Sequence, residues 1–441
     1  MTALDAVALG ACALAIVSGD LRWFRVAQRE HYLFGAAVRF GWRWAASTPL
    51  NGALGLLAVV AAGLTPVLPA TALLTAAAVG LWPVGLGLRG RTSRLAWTRR
   101  MSLVASVTVT LEALVVGLAA VFGGLRGAVV AGAFVAIGVP VLVDVALGLL
   151  GPVEGALARR YVRRAVEVLG RVKPLVVGIT GSYGKTTTKN YVAHLLGADR
   201  NVVASPRSFN NRAGLTRTVN EHLAPGTEVL VAEMGAYGPG EIAELCSWLR
   251  PEIAVITSIG PSHLERFGSL ERTLEAKAEI AAGARVVVLN VDDVRLEGLA
   301  KRLHASHKVV RVSGSDAGAD VAVLAHGDGL ELRVAGLPAG LAVLSPGSAA
   351  PIRTNAACAA AVALELGAAP EAVARRLGSL PGVPNRLQRY EAAGGYAVLD
   401  DTFNANPAGA RHALDVLVAE APAGRRMLVT PGMVELGRSQ R

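Results

Sequence analysis

Apolar positions dominate the first ~150 residues of the chain in runs at 2–18, 49–64, 66–88, 101–123 and 127–150. Most of these runs come near the ~20 residues that a helix needs to cross a bilayer. A signal peptide is the other reading of the first run. Against it, the run has no basic leader, carries Asp5 and shows no clear small-residue cleavage site. Between the runs the charges are uneven. Arg22, Arg25, Arg29, Arg39 and Arg43 follow the first, and Arg89, Arg91, Arg94, Arg99 and Arg100 separate the third from the fourth. Arg159, Arg160, Arg163, Arg164, Arg171 and Lys173 follow the fifth, while the intervening turns carry only Arg126. Basic connections stay on the cytoplasmic side. The pattern therefore predicts five spans with the N-terminus outside and everything after Gly151 in the cytoplasm.

Glu112 and Asp144 fall inside the fourth and fifth runs. An acid at that depth is read first as functional, although capping within the bundle is equally open. Pro140 is a candidate kink. Residues 156–172 are basic and periodic (Leu157, Tyr161, Val162, Val166, Leu169) and predict an interfacial helix, ended by Lys173-Pro174.

Beyond residue 174 the pattern changes to alternating strands and helices, the signature of an α/β parallel sheet. Apolar strands are expected at 175–179, 229–232, 253–256 and 286–289, and helices at 186–196, 241–249, 270–281 and 294–304. Residues 309–344 are Gly-rich and of shorter period, predicting a small β subdomain. Helices follow at 354–366 and 371–377, then a strand at 396–399, a helix at 407–417 and a strand at 427–429.

Composition agrees with a membrane part and a soluble part. Of 441 residues 52% are hydrophobic and only 17% charged, and the mean hydropathy is +0.45. The net charge of +11 is concentrated in the connections just named, which favours membrane topology over nucleic-acid binding. Cys12, Cys246 and Cys358 are far apart and lack Cys-x-x-Cys spacing, so they suggest neither a disulfide framework nor a zinc site.

The chemistry starts at Gly181-Ser182-Tyr183-Gly184-Lys185-Thr186-Thr187, between the strand at 175–179 and the helix at 186–196. A strand, a Gly-rich turn and a helix start form a phosphate cradle of backbone N–H groups. Lys185 suits the β/γ-phosphates and the Thr186 hydroxyl suits Mg²⁺. Tyr183 stands where the strict G-x-x-x-x-G-K form has glycine; the shorter Gly181-x-x-Gly184-Lys185-Thr186 form is met. Glu233 ends a strand and is placed to complete Mg²⁺ coordination. His263 ends the next strand, and Lys277 lies on a predicted helix, where a lone lysine is normally solvated.

These residues resemble the Mur ligase family, closest to the MurF type that adds D-alanyl-D-alanine to a peptidoglycan precursor. The matches begin with the phosphate loop, Phe209-Asn210-Asn211-Arg212-Ala213-Gly214, Glu233-Met234-Gly235-Ala236 and Ile259-Gly260 with His263-Leu264-Glu265. They continue through Phe267-Gly268-Ser269, Ala276-Lys277-Ala278-Glu279-Ile280 and Leu289-Asn290-Val291-Asp292-Asp293. Arg386-Leu387-Gln388, Asp400-Asp401-Thr402-Phe403-Asn404-Ala405-Asn406-Pro407 and Gly432-Met433-Val434-Glu435-Leu436-Gly437 complete the order. The apolar and charge pattern already predicts a helical membrane bundle at 1–150 and a basic linker helix at 151–173. To these the resemblance adds a P-loop α/β central domain at 174–384 and a partial Rossmann-like C-terminal domain at 385–441.

The implied activity is an ATP-dependent amide ligase: a carboxylate takes the γ-phosphoryl group to become an acyl phosphate, which an amine attacks. Gly181, Ser182, Tyr183, Gly184, Lys185, Thr186 and Thr187 would cradle ATP, and Asn290, Arg386 and Asp401 would hold the nucleotide. Thr186 and Glu233 would bind one Mg²⁺, and His263 and a carbamylated Lys277 a second. Lys185, Glu233, His263 and Lys277 form the implied catalytic set, and Asn210 and Asn211 face the acceptor. The implied partners are a UDP- or lipid-linked muropeptide, an amino acid or dipeptide, and the membrane, with no nucleic acid.

Three departures bear on that picture. The membrane block replaces the soluble domain that grips the UDP moiety, so a membrane-presented acceptor becomes an alternative. Thr354 precedes Asn355 where the family often has His-Asn, and Asn385 replaces the glycine before Arg386. The last domain is also short, and a fragment is the favoured explanation. A non-catalytic ATP-binding scaffold or sensor of wall assembly is the second hypothesis. A transporter is a third, without transporter-type nucleotide motifs to support it.

Overall fold

The structure, a computed structural model, describes residues 3–86, 94–207, 209–262, 264–344, 352–382, 385–402, 407–420 and 425–430. The chain divides into two compact units, Met1–Leu157 and Ala158–Arg441.

The first unit is helical: α1 (Ala3–Arg29), α2 (Ala36–Ala45), α3 (Pro49–Leu64), α4 (Thr71–Leu81) and α5 (Arg99–Val172), the last running past the unit boundary. By length and composition two helices, α1 and α5, can cross a membrane. They become three if α2 and α3, bent by 116°, count as one span. The five apolar runs fall on α1, α3, α4 and the two arms of α5. The 11-residue α4 rises only about 16 Å at 1.5 Å per residue, roughly half a hydrocarbon core. The last two apolar runs belong to one interrupted helix, broken at Gly124 with φ 59° and ψ −154°. A Cβ on Gly127 would sit 2.2 Å from the Ala119 carbonyl oxygen, so the arms fold back on each other beside the break.

Two polar residues explain how the short helices end. Arg22 lies within α1, not in a loop, and donates to the carbonyls of Val79 (3.1 Å), Gly80 (2.5 Å) and Trp82 (2.7 Å). It thereby satisfies the free carbonyls at the C-terminus of α4. Asp144 accepts from Ala37 N (3.2 Å) and Val38 N (2.9 Å), capping α2, whose N-cap Gly35 offers no side chain. Capping is the role the structure gives this buried acid. Buried alanines on α1, α3 and α4, among them Ala8, Ala58, Ala62 and Ala72, let those helices approach closely.

The second unit is built on a nine-stranded sheet ordered β2-β3-β1-β4-β5-β6-β7-β8-β9. In chain order it comprises β1 (Leu175–Thr180), α6 (Lys185–Leu196), β2 (Val202–Ala204), α7 (Arg212–His222), β3 (Val229–Glu233), α8 (Glu241–Leu249) and β4 (Ile253–Ile256). Next come α9 (Leu264–Phe267), α10 (Leu270–Ala278), β5 (Val286–Asn290), α11 (Val294–Leu303), β6 (Lys308–Ser313), β7 (Val321–His326), β8 (Gly329–Val334) and β9 (Leu337–Ala342). α12 (Arg353–Glu365) and α13 (Pro370–Leu377) complete this layer, and β10 (Gln388–Glu391), β11 (Ala397–Asp400) and α14 (Pro407–Glu420) follow. Pairing is parallel from β2 through β7 and antiparallel between β7, β8 and β9.

Both faces of the sheet are covered, which is why its central strands read as unbroken apolar runs. Val177, Ile179, Val229, Val231, Val286 and Val288 point into one core with α6, α12 and α13. Their neighbours Val176, Leu230, Ala232, Val287 and Leu289 point into the other. That second core takes in Ala165 and Val168 from the end of α5. Of the stripe assigned to a membrane interface at 156–172, Val162 and Leu169 pack against this core, whereas Leu157, Tyr161 and Val166 are exposed. The expected β subdomain at 309–344 is instead the antiparallel continuation of the same sheet. The expected strand at 427–429 does not form: Met427, Leu428 and Val429 are exposed and unpaired in any sheet. All three cysteines are buried and free.

Candidate functional site

β1 lies between β3 and β4 in the sheet. Its outgoing connection leads across β3 to β2, whereas the connection from β3 leads back across β1 to β4. That reversal is the switch point at which such sheets bind ligands, beyond the carboxyl ends of their strands. The phosphate loop leaves β1 here and Glu233 ends β3 beside it.

The loop is braced from β4. Ser182 N donates to Ser258 O (2.8 Å), Tyr183 N to Ser258 Oγ (3.0 Å), and Ser182 Oγ to Gly260 O (3.1 Å). Gly181 has φ 145°, and a Cβ there would lie 2.0 Å from Thr257 Oγ1. Gly184 has φ 82°, and a Cβ would meet Asn355 Oδ1 at 2.5 Å. Tyr183 lays its ring against Gly260, whose missing side chain makes the space.

Lys185 turns its ammonium onto the loop itself, donating to Gly181 O (2.7 Å) and Ser182 O (3.2 Å). Burial lowers its pKa; the Glu233 charge opposes that shift and Arg386 adds to it. Thr186 Oγ1 donates to Glu233 Oε2 at 2.9 Å, and Asn210 Nδ2 donates to Glu233 Oε1 at 3.1 Å. Lys189, which the sequence reading did not single out, lies 3.5 Å from Glu233 Oε2, both side chains 2% exposed. Its spacing of four from Lys185, on one helix face, was the available signal.

Lys277 is buried near the same place, its Nζ 5.7 Å from the Phe267 ring centroid. Burial, reinforced by the Lys185 charge, pushes its pKa down to about 7. Gly181, Ser182, Lys185, Asn210, Gly235, Ala236, Tyr237, Ser262 and Lys277 line one open cleft of about 350 Å³.

The remaining expected residues divide. Arg386 comes within electrostatic range of Lys185, Glu233 and Asp401. Asp401 Oδ1 accepts from Leu387 N at 3.0 Å. Asn290 braces the sheet edge, with Nδ2 on Thr257 O (2.9 Å) and Oδ1 accepting from Asp292 N (3.0 Å). Asn211 is the N-cap of α7, its side chain accepting from Gly214 N at 2.9 Å. That use accounts for its oxygen without an acceptor substrate. Thr187 is buried in α6. His263 lies outside the described residues.

The donor set suits a hard cation. Thr186 and Glu233 offer oxygen ligands 2.9 Å apart at the mouth of the phosphate loop, the chemistry Mg²⁺ prefers. Among the described residues no group of three or more His, Cys, Asp or Glu converges, here or elsewhere.

The match to known proteins centres on this region. Residues 179–363 match the Mur ligase middle domain. The chain is 39% identical over 285 residues to the UDP-N-acetylmuramoyl-tripeptide--D-alanyl-D-alanine ligase of Mycobacterium bovis, covering 59% of this chain and 53% of that one. The enzyme of the same name from Escherichia coli K12 is 35% identical over 282 residues, covering 62% and 61%. Among solved structures, the MurF ligase of Thermotoga maritima in complex with ADP aligns with a TM-score of 0.53 and 29% identity, covering 64% and 65%. The chain thus spans about half to three-fifths of the length of these curated relatives. The Mur ligase α/β fold is that of the second unit, and the middle-domain match covers its phosphate loop, Glu233, Lys277 and Asn290 alike.

Proposed function

We propose that this chain is an ATP-dependent amide ligase of the MurF type, acting on a peptidoglycan precursor and held at the membrane by its first unit. The observation that carries the reading is the convergence of Lys185, Thr186, Glu233 and Lys277 at the switch point of the sheet. In the neutral form that a pKa of about 7 makes accessible, the Lys277 amine can add carbon dioxide, which would turn a buried cation into an anionic oxygen ligand.

ATP bound at the phosphate loop would supply the phosphoryl group that makes a carboxylate electrophilic. The work of the protein is then positional and electrostatic. Loop N–H groups and Lys185 would bind the phosphates, Thr186 and Glu233 would hold Mg²⁺, and Arg386 would add positive charge from the C-terminal segment. Asn210, already bonded to Glu233, would orient the acceptor. The relatives' names support a muramoyl-tripeptide acceptor and D-alanyl-D-alanine as the amine.

Exposed apolar side chains on the first unit, such as Leu56, Val59, Val60, Val121 and Phe122, support its insertion in a bilayer. The arginines at 94–100 and 159–164 favour a cytoplasmic ligase unit. The deciding experiment is phosphate release from ATP by the full chain in detergent, with D-alanyl-D-alanine and either a UDP-linked or a lipid-linked acceptor. Release stimulated by one acceptor supports the ligase and selects its substrate. Unstimulated ATP binding would favour the scaffold reading instead.

A further inference from the structure

We propose that Lys189 is a positioning residue for Glu233, its ammonium serving as the carboxylate's internal counter-charge while no divalent cation is bound. The inference rests on reading Glu233 as a ligand of that cation. Lys189 follows Lys185 by one helical turn on α6, yet the two ammonium groups do different things. Lys185 Nζ bonds the loop carbonyls and lines the cleft. Lys189 is among the most completely buried large side chains of the protein, and donates to Arg207 O at 2.6 Å.

Its other close neighbour is Glu233 Oε2, 3.5 Å away, the same oxygen that accepts from Thr186. Oε1 is held by Asn210. Each carboxylate oxygen thus has a neutral donor, and among the described residues the one full positive charge in contact sits on the side facing Thr186. A carboxylate buried without a counter-charge is strongly unfavourable. Lys189 removes that penalty, and through Arg207 O it also ties the 205–211 strand-to-helix connection, which carries Asn210, to the end of β3.

A purely structural ion pair and a positioning residue differ in one measurable way. With Lys189 gone, Glu233 loses the cation in direct contact with it and keeps only the longer-range charges of Lys185 and Arg386, at a site that suits Mg²⁺, so the ion alone should bind and stabilise the fold. In the unaltered protein the lysine already compensates Glu233, so Mg²⁺ without nucleotide should change little.

The test is thermal unfolding of the full chain in detergent, without nucleotide, with EDTA or with millimolar MgCl₂. Lys189→Met should melt roughly 5–10 °C lower in EDTA and recover at least half of that loss in MgCl₂. Lys189→Arg should melt near the unaltered protein and ignore Mg²⁺. The double variant Lys189→Met/Glu233→Gln should melt above Lys189→Met in EDTA and lose the Mg²⁺ response. If Lys189→Met does not fold while the double variant does, the pairing stands; if neither folds, Lys189 serves packing and the proposal falls. It falls equally if Lys189→Met melts unchanged, if Mg²⁺ leaves it unmoved, or if the double variant still responds. No turnover enters the readout, so failure of the ligase reading would be seen separately.

Discussion

Thr186 Oγ1 donates to Glu233 Oε2 at 2.9 Å, joining the first turn of α6 to the last residue of β3. These two residues are 47 positions apart, and the bond exists because β1 and β3 pair in parallel with Ile179 opposite Glu233. Thr186→Val keeps the shape and removes the hydroxyl. Folding stability should fall by only about 1 kcal/mol, the worth of one hydrogen bond. Acceptor-stimulated phosphate release should fall by roughly 10²-fold or more, as for loss of a preorganised electrostatic group. Thr186→Ser should retain most of it. Equal turnover in Thr186→Val would remove Thr186 from the metal site.

Gly181 tests the loop geometry. With φ 145° and a Cβ position 2.0 Å from Thr257 Oγ1, alanine there must push the phosphate loop away from β4. Gly181→Ala should destabilise the fold by about 2 kcal/mol or more and weaken ADP binding measured by calorimetry. Gly170 is the control: it is helical, on α5, with nothing within 4 Å of its Cβ position. Gly170→Ala should stabilise by about 0.5–1 kcal/mol and leave ADP affinity alone.

The phosphate loop was legible in the sequence because its requirements are local: an apolar strand, glycines where φ is positive, and a helix start. Lys189 was not. A lysine in Lys185-Thr186-Thr187-Thr188-Lys189 reads as solvated, and only the packing of β3 and the 205–211 connection buries it. Residues 156–172 were legible as a basic amphipathic helix, but not which face meets what: Ala165 and Val168 pack against the sheet, while Leu157, Tyr161 and Val166 stay exposed. The strands at 309–344 were seen, but the parallel β6–β7 pairing that joins them to the main sheet is a non-local contact. Five apolar runs were likewise visible. That α4 is too short to cross depends on where Arg22 and Trp82 end it, which hydropathy does not encode.

Asp144 gives the first unit its own test. Its two carboxylate oxygens accept from Ala37 N and Val38 N, doing for α2 what an N-cap side chain would do. Asp144→Ala should cost about 1–2 kcal/mol of stability and loosen α2, seen as faster amide exchange at 37 and 38. Asp144→Asn keeps one acceptor oxygen and should recover part of the loss. A transport or catalytic role would instead show as lost activity with unchanged exchange.

Lys277 yields a pH dependence whose sign follows from burial. Its pKa is near 7 in the folded chain and 10.5 in the unfolded one, so between those values the unfolded state binds more protons. Stability therefore rises with pH across that window, by at most about 1.4 kcal/mol per pH unit. Below pH 7 both states are protonated and the penalty is complete; above 10.5 it is gone. Lys277→Met removes the group, so its contribution to the slope between pH 7 and 10.5 should vanish. The variant should also be the more stable protein at neutral pH. Denaturant unfolding across that range, in chelator and with carbon dioxide excluded, measures both. Readmitting bicarbonate should then stabilise the unaltered protein near pH 8, where the free amine is available to be trapped, and leave Lys277→Met unaffected. A slope unchanged by the substitution would mean that Lys277 keeps its charge in the fold, and the cleft would then lack the neutral amine on which a carbamylated ligand depends.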